Sequence, residues 1–216
     1  MKQITPLRLP FNGEWLTFWG GDTLAQNHHH NNQCQRYGFD FVMMDDSGSM
    51  FRGDGTKNEQ HYSYGVPILS PGDGVVVEAV DGVRDNRHFD INPYSVLGNY
   101  VMLQHSEQEF SVLGHLRQGS VSVRAGEAVV SGQQVGECGN SGQSSSAHLH
   151  YHLQDSAIFT RLTDTFEPQD VAQGTRIVFD NVILCSGTNR ALKKEYSPVK
   201  GDIVMSYVGA TDSNKG

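Results

Sequence analysis

Hydrophobic and polar positions along this chain alternate with a period of two over short runs, and long stretches with helical spacing are scarce. The clearest run is His148-Leu149-His150-Tyr151-His152-Leu153. As a strand it turns the three histidines to one face and Leu149, Tyr151 and Leu153 to the other. Tyr and Leu suit a core-facing side. Alternation predicts further strands around Trp15–Trp19, over Gln35–Met43 and over residues 99–105 and 109–116, the last two as a hairpin. Two more strands flank the turn Pro71-Gly72-Asp73-Gly74. Val121-Ser122-Val123, Gln134-Val135-Gly136, Arg176–Asp180, Val182–Cys185 and Gly201–Met205 read as short strands. Polar, glycine-rich stretches between them read as loops: 27–33, Asp45–His61, and 83–98 with a surface His88. Lys193-Lys194-Glu195-Tyr196 reads as a polar connector, Thr160–Asp164 and the Pro168 region as passing chain, and 209–216 as a mobile tail.

Composition agrees with an all-β domain rich in turns. Glycine is abundant at 24 of 216 residues. The formal net charge of -8 makes nucleic acid or an anionic membrane surface an unsuitable main partner. The sequence shows no apolar run of transmembrane length, and Met1 to Pro10 lacks the basic-then-apolar order of a signal peptide. Cys34, Cys138 and Cys185 are an odd count, so at least one thiol is unpaired within the chain, and the absence of CxxC argues against a cysteine zinc site. No repeat or sharp break divides the chain. The expected organisation is an N-terminal β extension over 1–26, a core over 27–155, and a C-terminal β extension with a tail over 156–216.

Candidate chemistry centres on histidine. Imidazole is the commonest metal-ligating side chain, and two on one strand face can reach one site. A lone His-x-His is more often a solvated strand face. Here a Gly/Ser-rich turn, Gly139 to Ser146, precedes it, a second cluster stands at His28-His29-His30, and His115 ends a β run. Any one of His28, His29 and His30 is best read as a solvated loop residue, but at least one of them as a ligand. Asp40 sits among aromatic and aliphatic neighbours, where a carboxylate is costly unless paired or bound to a cation. A salt bridge to Arg36 is the ordinary explanation; a metal ligand is the sharper one. Arg52-Gly53-Asp54 carries little weight as an adhesion motif, and Asp45, Asp46 and Asp54 lack calcium-loop spacing.

Taken in order, these residues resemble the lysostaphin-like (LytM-type) zinc metallopeptidases, which are peptidoglycan endopeptidases. The carriers are the His loop with Gly38-Phe39-Asp40, then Val66 to Val76, Asn99 to His105, and Leu113-Gly114-His115-Leu116. They continue with Gly126 to Val129, Gly132 to Gly136, Gly139-Asn140-Ser141-Gly142 and His148-Leu149-His150-Tyr151. The resemblance spans roughly residues 27–155. It implies a compact antiparallel, barrel-like β core with a groove and one zinc ion. It implies Asp40 and His150 as metal ligands, and His115 and His148 as catalytic histidines flanking the metal-bound water. The usual His-x-Gly-x-Asp pattern is broken here, because Arg36 stands where the first ligand is expected and guanidinium cannot bind zinc. Asn27-His28-His29 followed by Gln35-Arg36-Tyr37 resembles a variant with Asn-x-His upstream, which selects His29. Ser146-Ala147 replaces a common Gly-Pro before His148.

The implied activity is hydrolysis of a peptidoglycan stem or cross-link peptide, at a small residue such as Gly or D-Ala, in the cell envelope or outside the cell. Two histidines, one aspartate and an open position have the composition of a catalytic zinc site. A rival reading is a degenerate relative that holds no metal and acts as a binding or regulatory module. A phosphocarrier or swivelling carrier would need a lone modifiable Lys or His, not His-x-His with an Asp.

Overall fold

The computed structural model describes residues 2–87, 89–157 and 172–207. His88, the 160–168 region and the 209–216 tail lie outside them. The strands are β1 (Trp15–Trp19), β2 (Phe39–Val42), β3 (Pro67–Leu69), β4 (Gly74–Val80), β5 (Asn99–Ser106), β6 (Glu109–Leu116) and β7 (Ala128–Val129). They continue with β8 (Gln134–Glu137), β9 (Leu149–Gln154), β10 (Gly174–Thr175), β11 (Phe179–Ser186), β12 (Asn189–Tyr196) and β13 (Ile203–Ser206). Helix is confined to single 3-10 turns at His28–Asn31 and Asn58–Gln60 among the described residues. The protein is all-β.

One sheet of 11 strands runs in the order β12-β11-β13-β1-β2-β9-β6-β5-β4-β7, with β10 added beside β9. All pairings between its named strands are antiparallel. β3 and β8 form a separate two-stranded sheet. β6 and β9 are buried along their whole length, as central strands covered on both faces must be. Leu149, Tyr151 and Leu153 enter the main core with Phe39, Phe41, Leu113 and Phe179. That leaves the other face of β9 to the histidines. Cys34, Cys138 and Cys185 are all buried, and none is in a disulfide.

The structure departs from the sequence reading in three places. Residues 121–123 form no strand; Ser122 makes a single backbone bond to Val135, and the strand forms instead at Ala128–Val129. Arg176–Asp180 and Val182–Cys185 are not two strands. They merge into β11, which begins at Phe179 and passes through Asn181 in the left-handed region at φ 53°. The 193–196 connector is part of β12, which pairs with β11 from Asn189 to Tyr196. β12 is an edge strand whose side chains before Tyr196 are all exposed, so it has no hydrophobic alternation to betray it. Its lysines suit an edge, where charge discourages pairing with another chain.

Candidate metal centre

Register builds the site. In the β2–β9 pairing Asp40 stands opposite His150, and in the β6–β9 pairing Gly114 stands opposite the same histidine. Directly opposed residues share a face, so the carboxylate and the imidazole must meet. His150 Nδ1 lies 2.9 Å from Asp40 Oδ1.

The His loop reaches the same carboxylate. Asn27 is fully buried and caps the 3-10 turn: its Oδ1 accepts from the His29 backbone N–H, and its amide donates to the carbonyls of Gly21, Arg36 and Gly38. That anchoring presents His29 Nε2 to Asp40 at 3.1 Å from Oδ1. His28 Nε2 also arrives, 3.1 Å from Oδ2 and 2.8 Å from His29 Nε2. His28, His29 and Asp40 thus form a cluster able to hold a metal ion. His30 is not part of it; its Nδ1 is buried without a hydrogen-bond partner. Arg36 is exposed and is not among the Asp40 partners, which are all imidazoles among the described residues.

His148 and His115 stand around this cluster without joining it so closely. His148 Nε2 is 3.6 Å from Asp40 Oδ1, and the His115 and His148 ring centroids are 4.7 Å apart. His148 Nδ1 donates to the Ser146 carbonyl at 2.9 Å, and His115 Nδ1 donates to the Ser141 carbonyl at 2.8 Å. A carbonyl only accepts, so both neutral rings carry their proton on Nδ1 and keep a lone pair on Nε2. His115 closes β6 in the left-handed region at φ 59°, a costly backbone state for a histidine that re-aims its ring.

Both acceptor carbonyls belong to the turn 139–146. Asn86 donates to the carbonyls of Gly142 and Ser144, and Ser141 Oγ bonds Leu116 and Asn99. Gly142 lies at φ +77°, and a Cβ there would land on the backbone of Gly98. Gly142→Ala is expected to destabilise the protein by more than ~1 kcal/mol, since both conformation and space oppose it. Chemical denaturation measures this, and an unchanged midpoint would contradict it.

Behind His150 runs a chain that sequence reading did not find. Gln154 Nε2 donates to the Ser156 carbonyl, so its Oε1 accepts from His152 Nε2–H at 2.9 Å. His152 Nδ1 must then accept from His150 Nε2–H, also at 2.9 Å. The period-two histidines place two of the links, but Gln154 and the donor order appear only in three dimensions. The consequence is at the front of the site. A neutral His150 so protonated offers Nδ1 as a lone pair, facing a carboxylate that also offers only lone pairs. Two acceptors at 2.9 Å fit a cation or an added proton between them.

Electrostatics follow from burial. Burial alone would raise the Asp40 pKa, but His29, His148, His150 and His28 outweigh it and hold the carboxyl well below its usual range. Burial, then the neighbouring His148 and His150, keeps His115 neutral well below the ordinary imidazole range. Burial pushes His150 down to about 3 and His152 to about 4. In the unfolded chain a histidine titrates near ~6.5, so the unfolded state binds more protons between about pH 6.5 and 4. Stability therefore rises with pH across that window. Metal-free protein is expected to lose up to ~1.4 kcal/mol per pH unit for each ring as pH falls through it. Urea midpoints across this range check the slope; a flat profile would contradict it.

Two small clefts meet at the cluster and share His28, His29, His115 and Gln143. One, of about 270 Å³, is walled by Phe18, Trp19, Met50 and Ile91; the other, of about 260 Å³, by Asn32, Gln35, Val96 and Leu97. A larger cavity of about 780 Å³ lies between the N-terminal segment, residues 130–133 and β13, and none of the site histidines lines it. Donor chemistry rather than volume picks out the site.

The sequence profile of Peptidase family M23 matches residues 58–160, just under half of the chain. His115, His148 and His150 fall inside the match; His28, His29 and Asp40 precede it. Over 89 residues, 41% of this chain and 17% of the relative, the sequence is 36% identical to the peptidoglycan DD-endopeptidase ShyA of Vibrio cholerae serotype O1. The matched segment is thus about a sixth of that relative's length. Among solved structures, a zinc containing peptidase from Vibrio cholerae superposes with a TM-score of 0.44 at 16% identity, covering 79% of this chain and 39% of that one. The catalytic domain of lysostaphin from Staphylococcus simulans superposes with a TM-score of 0.40 at 20% identity, covering 76% and 88%.

Proposed function

We propose that this chain, which carries a Peptidase family M23 domain over residues 58–160, is a zinc-dependent endopeptidase acting on peptide stems or cross-links of bacterial peptidoglycan. The observation that carries the reading is the meeting of His150 Nδ1 and His29 Nε2 at one buried carboxylate, each nitrogen within 3.2 Å of an Asp40 oxygen. Two imidazoles and a buried carboxylate are a fitting donor set for zinc, and among the described residues no Arg or Lys pairs with Asp40. His29, Asp40 and His150 would hold the ion, about one per chain, and zinc there supplies a polarised carbonyl and a water acidic enough to deprotonate near pH 7.

The remaining work falls to His115 and His148. Each has Nδ1–H committed to a backbone carbonyl, so Nε2 is the one nitrogen able to take up or return a proton. Burial disfavours imidazolium at His115, so its ring rests neutral with the Nε2 lone pair free. The clefts on either side would take the peptide on both sides of the scissile bond, and their small size suits residues such as Gly or D-Ala. The 27–155 unit would carry the whole donor set, and the strands before and after it would complete the sheet.

The test is digestion of purified peptidoglycan by zinc-loaded protein, with soluble fragments separated and identified. The expected result is release of shortened peptides that stops when a chelator strips the metal. Binding to the polymer without any cleavage would favour a docking module instead.

A further inference from the structure

We propose that His28 is a fourth protein donor to the ion held by His29, Asp40 and His150, and the one that leaves when substrate or water enters. This rests on the metallopeptidase reading above. Three observations carry it. His28 Nε2 reaches Asp40 Oδ2 at 3.1 Å, as close as the approach of His29. It also points at His29 Nε2 from 2.8 Å. Two ring nitrogens and a carboxylate oxygen within mutual reach match the edges of a small coordination polyhedron, not the spacing of a solvated loop.

On its other side the ring is held by stacking. His28 lies on the Trp19 indole with centroids 5.0 Å apart and planes 10° from parallel, and Lys200 Nζ stands 3.6 Å from the same indole. Trp19 ends β1 and Lys200 lies in the turn before β13, so segments flanking the 27–155 core shape the site.

Exposure decides which donor is labile. The side chains of His29, Asp40 and His150 are 15%, 5% and 2% exposed, whereas His28 is 50% exposed. Four protein donors close a zinc site, and a closed site is structural; catalysis needs an open corner. The half-exposed imidazole on a single 3-10 turn is the donor that can rotate away. In the resting protein His28 therefore occupies the corner that water must take, and its departure opens the site. No bond other than the metal–nitrogen contact would break, and water or the substrate would take the vacated corner.

The experiment compares wild-type, His28→Ala and His29→Ala proteins in zinc affinity, by competition with a chromogenic chelator, and in the visible bands of the cobalt-substituted forms. His28→Ala is expected to bind zinc at least ~10-fold more weakly, on the scale that even outer ligand-orienting groups command. Its cobalt bands should shift as oxygen replaces nitrogen, and its hydrolysis per bound zinc should rise. His29→Ala should lose far more affinity. Unchanged affinity with unchanged bands in His28→Ala overturns the proposal, as does slower hydrolysis per bound zinc. A wild-type chain that binds no zinc would sink the peptidase reading itself. Zinc-binding wild-type indistinguishable from His28→Ala sinks only the fourth donor.

Discussion

Asp40→Asn is expected to leave the fold intact and to abolish both zinc binding and hydrolysis. Asparagine preserves the shape of the side chain but removes the anion. The site places four imidazoles around that carboxylate, at 2.9 to 3.6 Å. No other carboxylate partners them among the described ion pairs, so the charge of the ion would lose its only protein counter-charge. Elemental analysis and circular dichroism read the two outcomes separately. Zinc content equal to wild type would remove Asp40 from the ligand set. Loss of fold together with zinc would mean the carboxylate is needed for packing and would call for the test on His150.

The second large effect is expected at His148. His148→Ala should lower turnover by roughly 100-fold or more while zinc content stays at the wild-type level. The distances separate the two roles. His28, His29 and His150 approach Asp40 at 2.9 to 3.1 Å, but His148 stays at 3.6 Å and spends its Nδ1–H on the Ser146 carbonyl. In the proposed site it would stand close enough to exchange a proton with a ligand on the ion and farther from the carboxylate than the three proposed donors. Activity assays with zinc analysis on the same sample check this. Unchanged activity would remove His148 from proton transfer, and lost zinc would move it among the ligands.

Much of this site was legible in the sequence because it is built on strands. The alternation at 148–153 fixes which side chains share a face, and an acid between Phe39 and Phe41 signals a buried charge that needs partners. The turn before His148 shows itself through Gly139 and Gly142. What stayed hidden depends on three-dimensional convergence. His28 and His29 are neighbours in a polar loop, and nothing in their spacing says that both nitrogens turn inward; Asn27 capping and the Trp19 stack decide it. The His150–His152–Gln154 order of donors needs the Ser156 carbonyl to set its direction. β12 was hidden for a different reason. It is held by backbone bonds to β11 and exposes almost every side chain, so burial leaves no pattern to read.

The account depends most directly on a metal. Protein purified without added zinc, and with no metal-affinity step, should carry about one zinc ion per chain by mass spectrometry of the intact native protein and by elemental analysis. That ion should resist dialysis and depart with a strong chelator. A chain that stays metal-free even after incubation with excess zinc, with its fold intact, would contradict the account.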